Sequence, residues 1–366
     1  MTKGLDMIVT SVLVNRSALT QTRLDETAFP ALGDGEVRLA VESFSVTANN
    51  VTYAVVGDAF GYWNFFPAPD GFGIIPMWGH ARVTASKHAG IGIGERLYGY
   101  LPMASHLDIL PGNVTAGSLI DTAAHRQPMS PIYNSYSRIN ADPEHDPDKE
   151  AERMLFGPLF KTSFLIEAML RRADWFGATA LVMTSASSKT AMALASVAKA
   201  LSPNVRRIGL TSASNLDFVK RSALYDVVLA YDDTRSLPDA ACVVVDFAGN
   251  SAVLRQLHEA SGERLKYSCL VGATHVAARG SDGGGTPLPG PKPVLFFAPD
   301  HFMATVQELG AKGFGEAVAA QWHGFLRHIE GVVRIEMRDG LAAAADAFVE
   351  TLKGNADPAI GVIVRP

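Results

Sequence analysis

Cysteine is nearly missing from this chain: two in 366 residues, Cys242 and Cys269. That count excludes a four-cysteine zinc site, and a disulfide framework is not indicated. Both lie in apolar runs, AACVVVDF and KYSCLVGA, and read as buried strand thiols. Long hydrophobic runs are lacking too. None reaches the roughly 18–20 residues of a membrane span, so no membrane partner is expected. The opening MTKGLDMIVTSVLV carries no signal-peptide cleavage pattern, and the expected location is cytoplasmic. A strong charge of one sign is absent: the net charge of −5 leaves no electrostatic footprint for nucleic acid. What is present is apolar residue, 48% of the chain against 19% charged. That balance argues against disorder and supplies large cores for two ordinary domains. No internal repeat or low-complexity tract appears.

The chain changes character near residue 150. Residues 1–135 hold short β-type runs, Ile8–Val14, Glu36–Ser45, His80–Ala85 and Arg96–Leu101, broken by turns such as ALGDGE and IGIGE. Such spacing suggests a small barrel or sandwich. NADPEHDPDKEAE (140–152) reads as a surface linker. Met154–Trp175 reads helical with a break at Gly157–Pro158. From there apolar strands alternate with helices: strands at Leu181–Thr184, Arg207–Leu210, Val227–Ala230, Ala241–Asp246, Leu265–Val271 and Pro293–Phe297, with helices between several of them. This alternation predicts a parallel sheet covered on both faces, a Rossmann-like doubly wound fold. Helices follow around 300–311 and 314–328, then a strand, a helix and a strand. The expected division is 1–150 with 300–366 for one domain and 151–299 for the other.

Glycine is missing where it would be most informative. TALVMTSASSKTAMALASVAKAL (179–201) reads as strand, abrupt turn and helix, the setting in which nucleotide phosphates bind. The P-loop pattern places its glycines at Met183 and Ser188, the first of them inside the strand, and fails. The dinucleotide pattern G-x-G-x-x-G places them at Ser185, Ser187 and Thr190. Small residues replace every glycine there. Serine keeps the backbone approachable and adds hydroxyl donors, while the freedom at φ > 0 is lost. With Ser188 and Lys189, the turn reads as an anion cradle at a helix N-terminus. The plain alternative is a serine N-cap. The second strand ends in Thr211, Ser212 and Asn215, with no carboxylate until Asp217. Lys220 and Arg221 lie one turn on, and Arg206 and Arg207 precede the strand. Hydroxyls and cations suit a 2′-phosphate, so the cofactor expected is NADP(H). The alternative is a solvated helix cap with surface cations.

GERLYGYLPM (94–103), VTANNVTYAVVGD (46–58), VVVDFAGN (243–250), CLVGATH (269–275) and the ending DGLAAAADAFVETLKGNADPAIGVIVRP together resemble the medium-chain dehydrogenase/reductase superfamily. SASSKTA (185–191), GLTSASNLDFV (209–219) and LFFAP (295–299) resemble a bacterial branch of it that carries SSASSKTA in place of the glycine-rich turn. The resemblance spans nearly the whole chain. It implies an α/β protein with a GroES-like β-rich catalytic domain and a Rossmann-like domain. Neither cysteine lies in the catalytic-domain segments, so it implies the zinc-free branch, with quinone and enoyl-thioester reductases. It also implies a homodimer.

Hydride transfer to a conjugated carbonyl needs a group to polarise the carbonyl and a proton source. The resemblance points to Asn50 and Tyr53, on the segment that lines the cleft in related reductases. Tyr53 is the expected proton donor, against a packed tyrosine. Tyr98, and Tyr133 and Tyr136 in PIYNSYSR, are further candidates. Thr162 sits on a helix that reaches the cofactor in the family. Gly272 and His275 follow the fifth strand's carboxyl end, where ligands lie in open α/β sheets. His80 reads as core or surface. The aromatics of AFGYWNFFPAPDGFG (59–73) read as a lid, a packed loop or a dimer contact. The expected function is zinc-independent, NADP(H)-dependent reduction of a small or medium apolar carbonyl substrate of enone, enoyl or quinone type. A non-redox dinucleotide-binding sensor or structural protein stays open, as does a lyase or hydrolase reusing the same cleft.

Overall fold

The computed structural model describes residues 8–271 and 287–366. Ten strands come first in the chain: β1 (Ile8–Asn15), β2 (Thr22–Ala28), β3 (Val37–Val46), β4 (Phe72–Gly73), β5 (Pro76–Ser86), β6 (Arg96–Pro102), β7 (His106–Ile109), β8 (Pro111–Gly112), β9 (Ser118–Asp121) and β10 (Ser135–Arg138). The parallel-sheet region supplies β11 (Ala180–Met183), β12 (Arg206–Thr211), β13 (Val227–Ala230), β14 (Cys242–Asp246), β15 (Leu265–Leu270) and β16 (Val294–Leu295). The return supplies β17 (Arg334–Asp339) and β18 (Ile360–Arg365). The four early β-type runs and all six expected strands of the alternating region are present, with ends displaced by a few residues.

Contacts divide the chain into 1–155 with 335–366, and 156–334. The first unit is β-rich. Its larger sheet runs β17-β18-β3-β5-β6-β10-β9-β8, with β7 pairing β3. A smaller sheet runs β2-β1-β4. Val12, Phe44, Tyr100 and Leu101 fill its core, joined by Ala344 and Phe348 of the helix Leu341–Leu352.

The second unit holds one six-stranded sheet in the order β13-β12-β11-β14-β15-β16. Every pairing in it is parallel. Counted from its first strand the order is 3-2-1-4-5-6, the doubly wound arrangement, and the direction reverses between β11 and β14. Short apolar strands such as Ala180–Met183 are buried throughout because helices cover both faces.

Two expectations on helices and boundaries change. The helix expected to break at Gly157–Pro158 runs unbroken over Glu150–Arg172. The chain returns to the first unit at Ile335, not at residue 300. The segment Ala298–Ile329 is one helical run kinked at Gly310, whose φ is +72°. It packs inside the second unit: Phe325 and Trp322 meet Phe156 and Phe160 with ring centroids 5.2 Å apart. His328 Nδ1 lies 2.8 Å from the Ser196 hydroxyl.

Candidate functional site

In the second unit, the crevice beyond the strands' carboxyl ends, where the order reverses, is where an open α/β sheet places a ligand. β11 runs there into Thr184, which is fully buried. The Thr184 hydroxyl donates to the Asp246 carboxylate at the end of β14. It accepts from the amides of Phe247 at 2.8 Å and Ala248 at 3.1 Å. One hydroxyl thus joins the two strand ends that flank the reversal.

Ser185 follows with φ +50°. The left-handed region is open to glycine and costs a residue with Cβ about 1–2 kcal/mol. The expectation that the glycine-free turn loses this conformation is therefore corrected: serine adopts it. The Tyr231 hydroxyl accepts from the Ser185 amide at 2.9 Å. The Tyr225 hydroxyl donates to the Ala186 carbonyl at 2.8 Å, and the Ala186 amide donates to Leu210 at 2.9 Å. Burial pushes the pKa of Tyr231 up, so the hydroxyl keeps its proton at neutral pH. Glycine is required one strand away. A Cβ on Gly209 of β12 would sit 2.8 Å from the Ala186 Cβ and 2.8 Å from the Tyr225 ring.

Ser188 is the N-cap of the helix Lys189–Leu201 and accepts from the Ala191 amide at 3.2 Å. For that residue the plain capping role is filled. The amides of Ser187 and Thr190 make no hydrogen bond among the described residues, so they are the donors offered to an anion. The Thr190 carbonyl accepts from the Ser163 hydroxyl at 2.8 Å. Lys189 is half-buried at the helix start. Ser187, Thr211 and Asn215 come together, with Thr211 Oγ1 3.4 Å and Asn215 Nδ2 3.2 Å from the Ser187 hydroxyl. Ser212 pairs with Ser214 at 3.0 Å. The end of β12 thus presents hydroxyls and an amide, with no carboxylate. Lys220 is exposed on the helix Leu216–Arg221. Arg206 and Arg207 belong to the amino end of β12, the opposite end of the sheet. Arg207 is engaged there by Asp226 at 2.7 Å, so neither stands at the crevice. Thr162 donates to the Pro158 carbonyl at 3.3 Å within its own helix. Gly272 and His275 lie outside the described residues.

In the first unit, Tyr53 is buried. Its hydroxyl accepts from Asn49 Nδ2 at 3.0 Å and from Trp78 Nε1 at 3.1 Å. Burial raises its pKa. Its ring packs on Tyr62 and Tyr100, with centroids 4.7 and 5.4 Å away. Tyr133 stands beside them, its hydroxyl 3.2 Å from that of Tyr62, and both rings are half-buried. The other candidates are committed elsewhere. Asn50 closes a capping box with Thr47 at 2.6 Å and donates to the Pro76 carbonyl at 2.8 Å. Tyr136 accepts from the buried Arg126 at 2.9 Å and donates to the Tyr100 carbonyl at 2.6 Å. Tyr98 donates to the Arg153 carbonyl at 3.3 Å. Of the aromatic stretch 59–73, Trp63, Phe65 and Phe66 are core, Tyr62 and Phe72 are half-buried and Phe60 is exposed. The sequence reading gave no role to Tyr225, Tyr231, Thr184, Asp246 or Gly209. Two tyrosines bracketing a short apolar strand were the only signal.

Among the described residues, no group of three or more His, Cys, Asp or Glu side chains could hold a metal ion. No helix among them is long and apolar enough to cross a membrane.

The model of a family described as Protein of unknown function (DUF2855) matches residues 44–357. No curated protein matches the chain. Among solved structures, CurA from Vibrio vulnificus in complex with NADPH is similar at TM-score 0.60 and 14% identity, over 98% of each chain. The yhdH oxidoreductase from Salmonella enterica in complex with NADP is similar at TM-score 0.55 and 14% identity, over 98% of this chain and 100% of that one. A mutant of Etr1p in complex with NADP and crotonyl-CoA is similar at TM-score 0.56 and 9% identity, with the same coverage. The fold is therefore the one these structures share, an α/β fold that joins a GroES-like β-rich domain to a Rossmann-like doubly wound sheet.

Proposed function

This chain belongs to the family described as Protein of unknown function (DUF2855), and we propose that it is a zinc-independent, NADP(H)-dependent oxidoreductase. Its substrate is a small or medium apolar carbonyl compound of the conjugated type. The observation that carries the reading is the turn at the sheet's reversal. Free amides at Ser187 and Thr190 face the crevice end of a helix, next to a strand end built from Thr211, Ser212 and Asn215. Solved relatives of the same fold are complexes with NADPH or NADP, and that of Etr1p also holds crotonyl-CoA.

The nicotinamide, when bound, supplies the hydride. The chain's own residues hold and orient it. Ser187 and Thr190 offer donors to the pyrophosphate, with Lys189 as the adjacent cation. The uncharged end of β12 accepts a 2′-phosphate where a carboxylate would repel it. Zinc independence is supported by the placement of Cys242 and Cys269 in β14 and β15 of the second unit. For the proton, Tyr53 accepts two N–H donors, which directs its own O–H away from Asn49 and Trp78.

The test is a titration of the full chain with NADPH and NADH, followed by nicotinamide fluorescence, then by NADPH consumption over enones and quinones. Tight NADPH binding with turnover supports the reading. No binding of either nucleotide sinks it, and binding without consumption over the whole panel favours a non-redox sensor. Lys189→Ala is expected to weaken NADPH by about tenfold.

A further inference from the structure

We propose that Tyr231, together with Tyr225, is a positioning residue that holds the glycine-free turn in the conformation glycine would otherwise provide. The proposal rests on the dinucleotide reading above. A residue with Cβ persists in the left-handed region only where its surroundings over-determine it. Around Ser185 they do. Its amide donates to the Tyr231 hydroxyl at 2.9 Å, and its carbonyl accepts from the Ser188 amide at 2.7 Å. The next residue is fixed on both sides, its amide on Leu210 at 2.9 Å and its carbonyl under the Tyr225 hydroxyl at 2.8 Å.

Both tyrosines are delivered by one short edge strand. Tyr225 lies two residues before β13 and Tyr231 directly after it. β13 is itself locked to β12, with the Asp226 amide on Arg207 at 2.8 Å and the Tyr231 amide on Thr211 at 3.0 Å. Gly209 completes the device, since a side chain there would strike both Ala186 and the Tyr225 ring. The glycine that the turn lacks has in effect moved to the neighbouring strand, and two hydroxyls replace its conformational freedom. One consequence is a shifted cradle. The Ser185 amide is already occupied, so phosphate contact falls to Ser187 and Thr190. Tyr231 acts through Ser185 and not on the ligand.

The experiment compares the full-length protein with Y231F, S185G and the double variant Y231F/S185G. Hydrogen exchange at the Ser185 amide, without nucleotide, reads the pin directly. NADPH titration reads its consequence. In Y231F the amide is expected to exchange at least about tenfold faster and the NADPH Kd to rise about tenfold, one hydrogen bond's worth. In Y231F/S185G the Kd is expected to return to within about threefold of the wild type, because glycine enters the left-handed region without the strain that the Tyr231 hydroxyl offsets for serine. Unchanged exchange in Y231F overturns the proposal. So does a double variant as weak as Y231F, which would make Tyr231 a direct ligand contact. Wild-type protein that binds no NADPH sinks the dinucleotide reading, while the exchange arm still decides the pin. Should Y231F fail to fold, Y225F and Y225F/S185G make the same comparison at the other hydroxyl.

Discussion

The Ser45 hydroxyl donates to the Met154 carbonyl at 2.8 Å, and Met154 stands four residues before Pro158 in one helix. Proline has no N–H, so that carbonyl loses its helical partner. Ser45, buried on β3, supplies the missing donor. Ser45→Ala leaves a buried acceptor unsatisfied and is expected to cost about 1–2 kcal/mol. Thermal unfolding followed by circular dichroism checks this. A melting temperature equal to the wild type's would show that the carbonyl finds water instead.

This pair also explains where reading the sequence stops. Strands and helices of the second unit were readable because burial on both faces leaves an unmistakable apolar run for each strand. The local rule makes Pro158 a break, and the hydroxyl that rescues the Met154 carbonyl lies 109 residues from it in the chain. Asn50 tells the same story in reverse. Thr47 and Asn50 have capping-box spacing, and that local pattern accounts for the amide that resemblance placed at a cleft. Ser185 could not be read at all. Its conformation depends on hydroxyls from either side of β13, and nothing local marks Tyr225 or Tyr231 as their source.

His80 is fully buried on β5, and neither ring nitrogen has a hydrogen-bond partner among the described residues. Burial, with Arg153, Arg96 and His145 nearby and Glu150 opposing, holds its pKa down at about 3 against an ordinary 6.5. The unfolded chain therefore binds this proton first. Stability is intact above pH 6.5 and falls as pH drops toward 3, by about 3 kcal/mol at pH 4. Glu150 adds a separate loss at lower pH. Burial works against its charge, yet Arg96 and His145 hold its pKa down at about 2. His80→Phe is expected to remove the upper limb and keep the lower one. Urea midpoints measured from pH 7 to pH 4 decide it, and parallel curves for the two proteins would refute the assignment.

Arg126 is a buried cation with four partners: Asp121 at 2.8 Å, Tyr136 at 2.9 Å, Asn134 at 3.1 Å and the Tyr133 carbonyl at 2.7 Å. Arg126→Met strands the Asp121 carboxylate, which is 1% exposed. The expected loss is about 3–5 kcal/mol. Arg126→Met with Asp121→Asn removes the uncompensated charge and should recover part of it. A double variant no more stable than the single one would place the cost in packing instead.

Ser212 directly follows β12, and its hydroxyl pairs with that of Ser214 at 3.0 Å. Ser212→Asp supplies the group that accepts from a ribose 2′-hydroxyl and repels a 2′-phosphate. The NADPH Kd is expected to rise by about 30-fold, near 2 kcal/mol, while the NADH Kd falls. Because the substitution leaves Ser187, Thr190 and the pinned Ser185 in place, it changes the ratio of the two constants and not the cradle itself. Equal weakening of both nucleotides would mean that the end of β12 shapes the turn without reading the ribose. An unchanged ratio would mean that the nucleotide's ribose lies elsewhere.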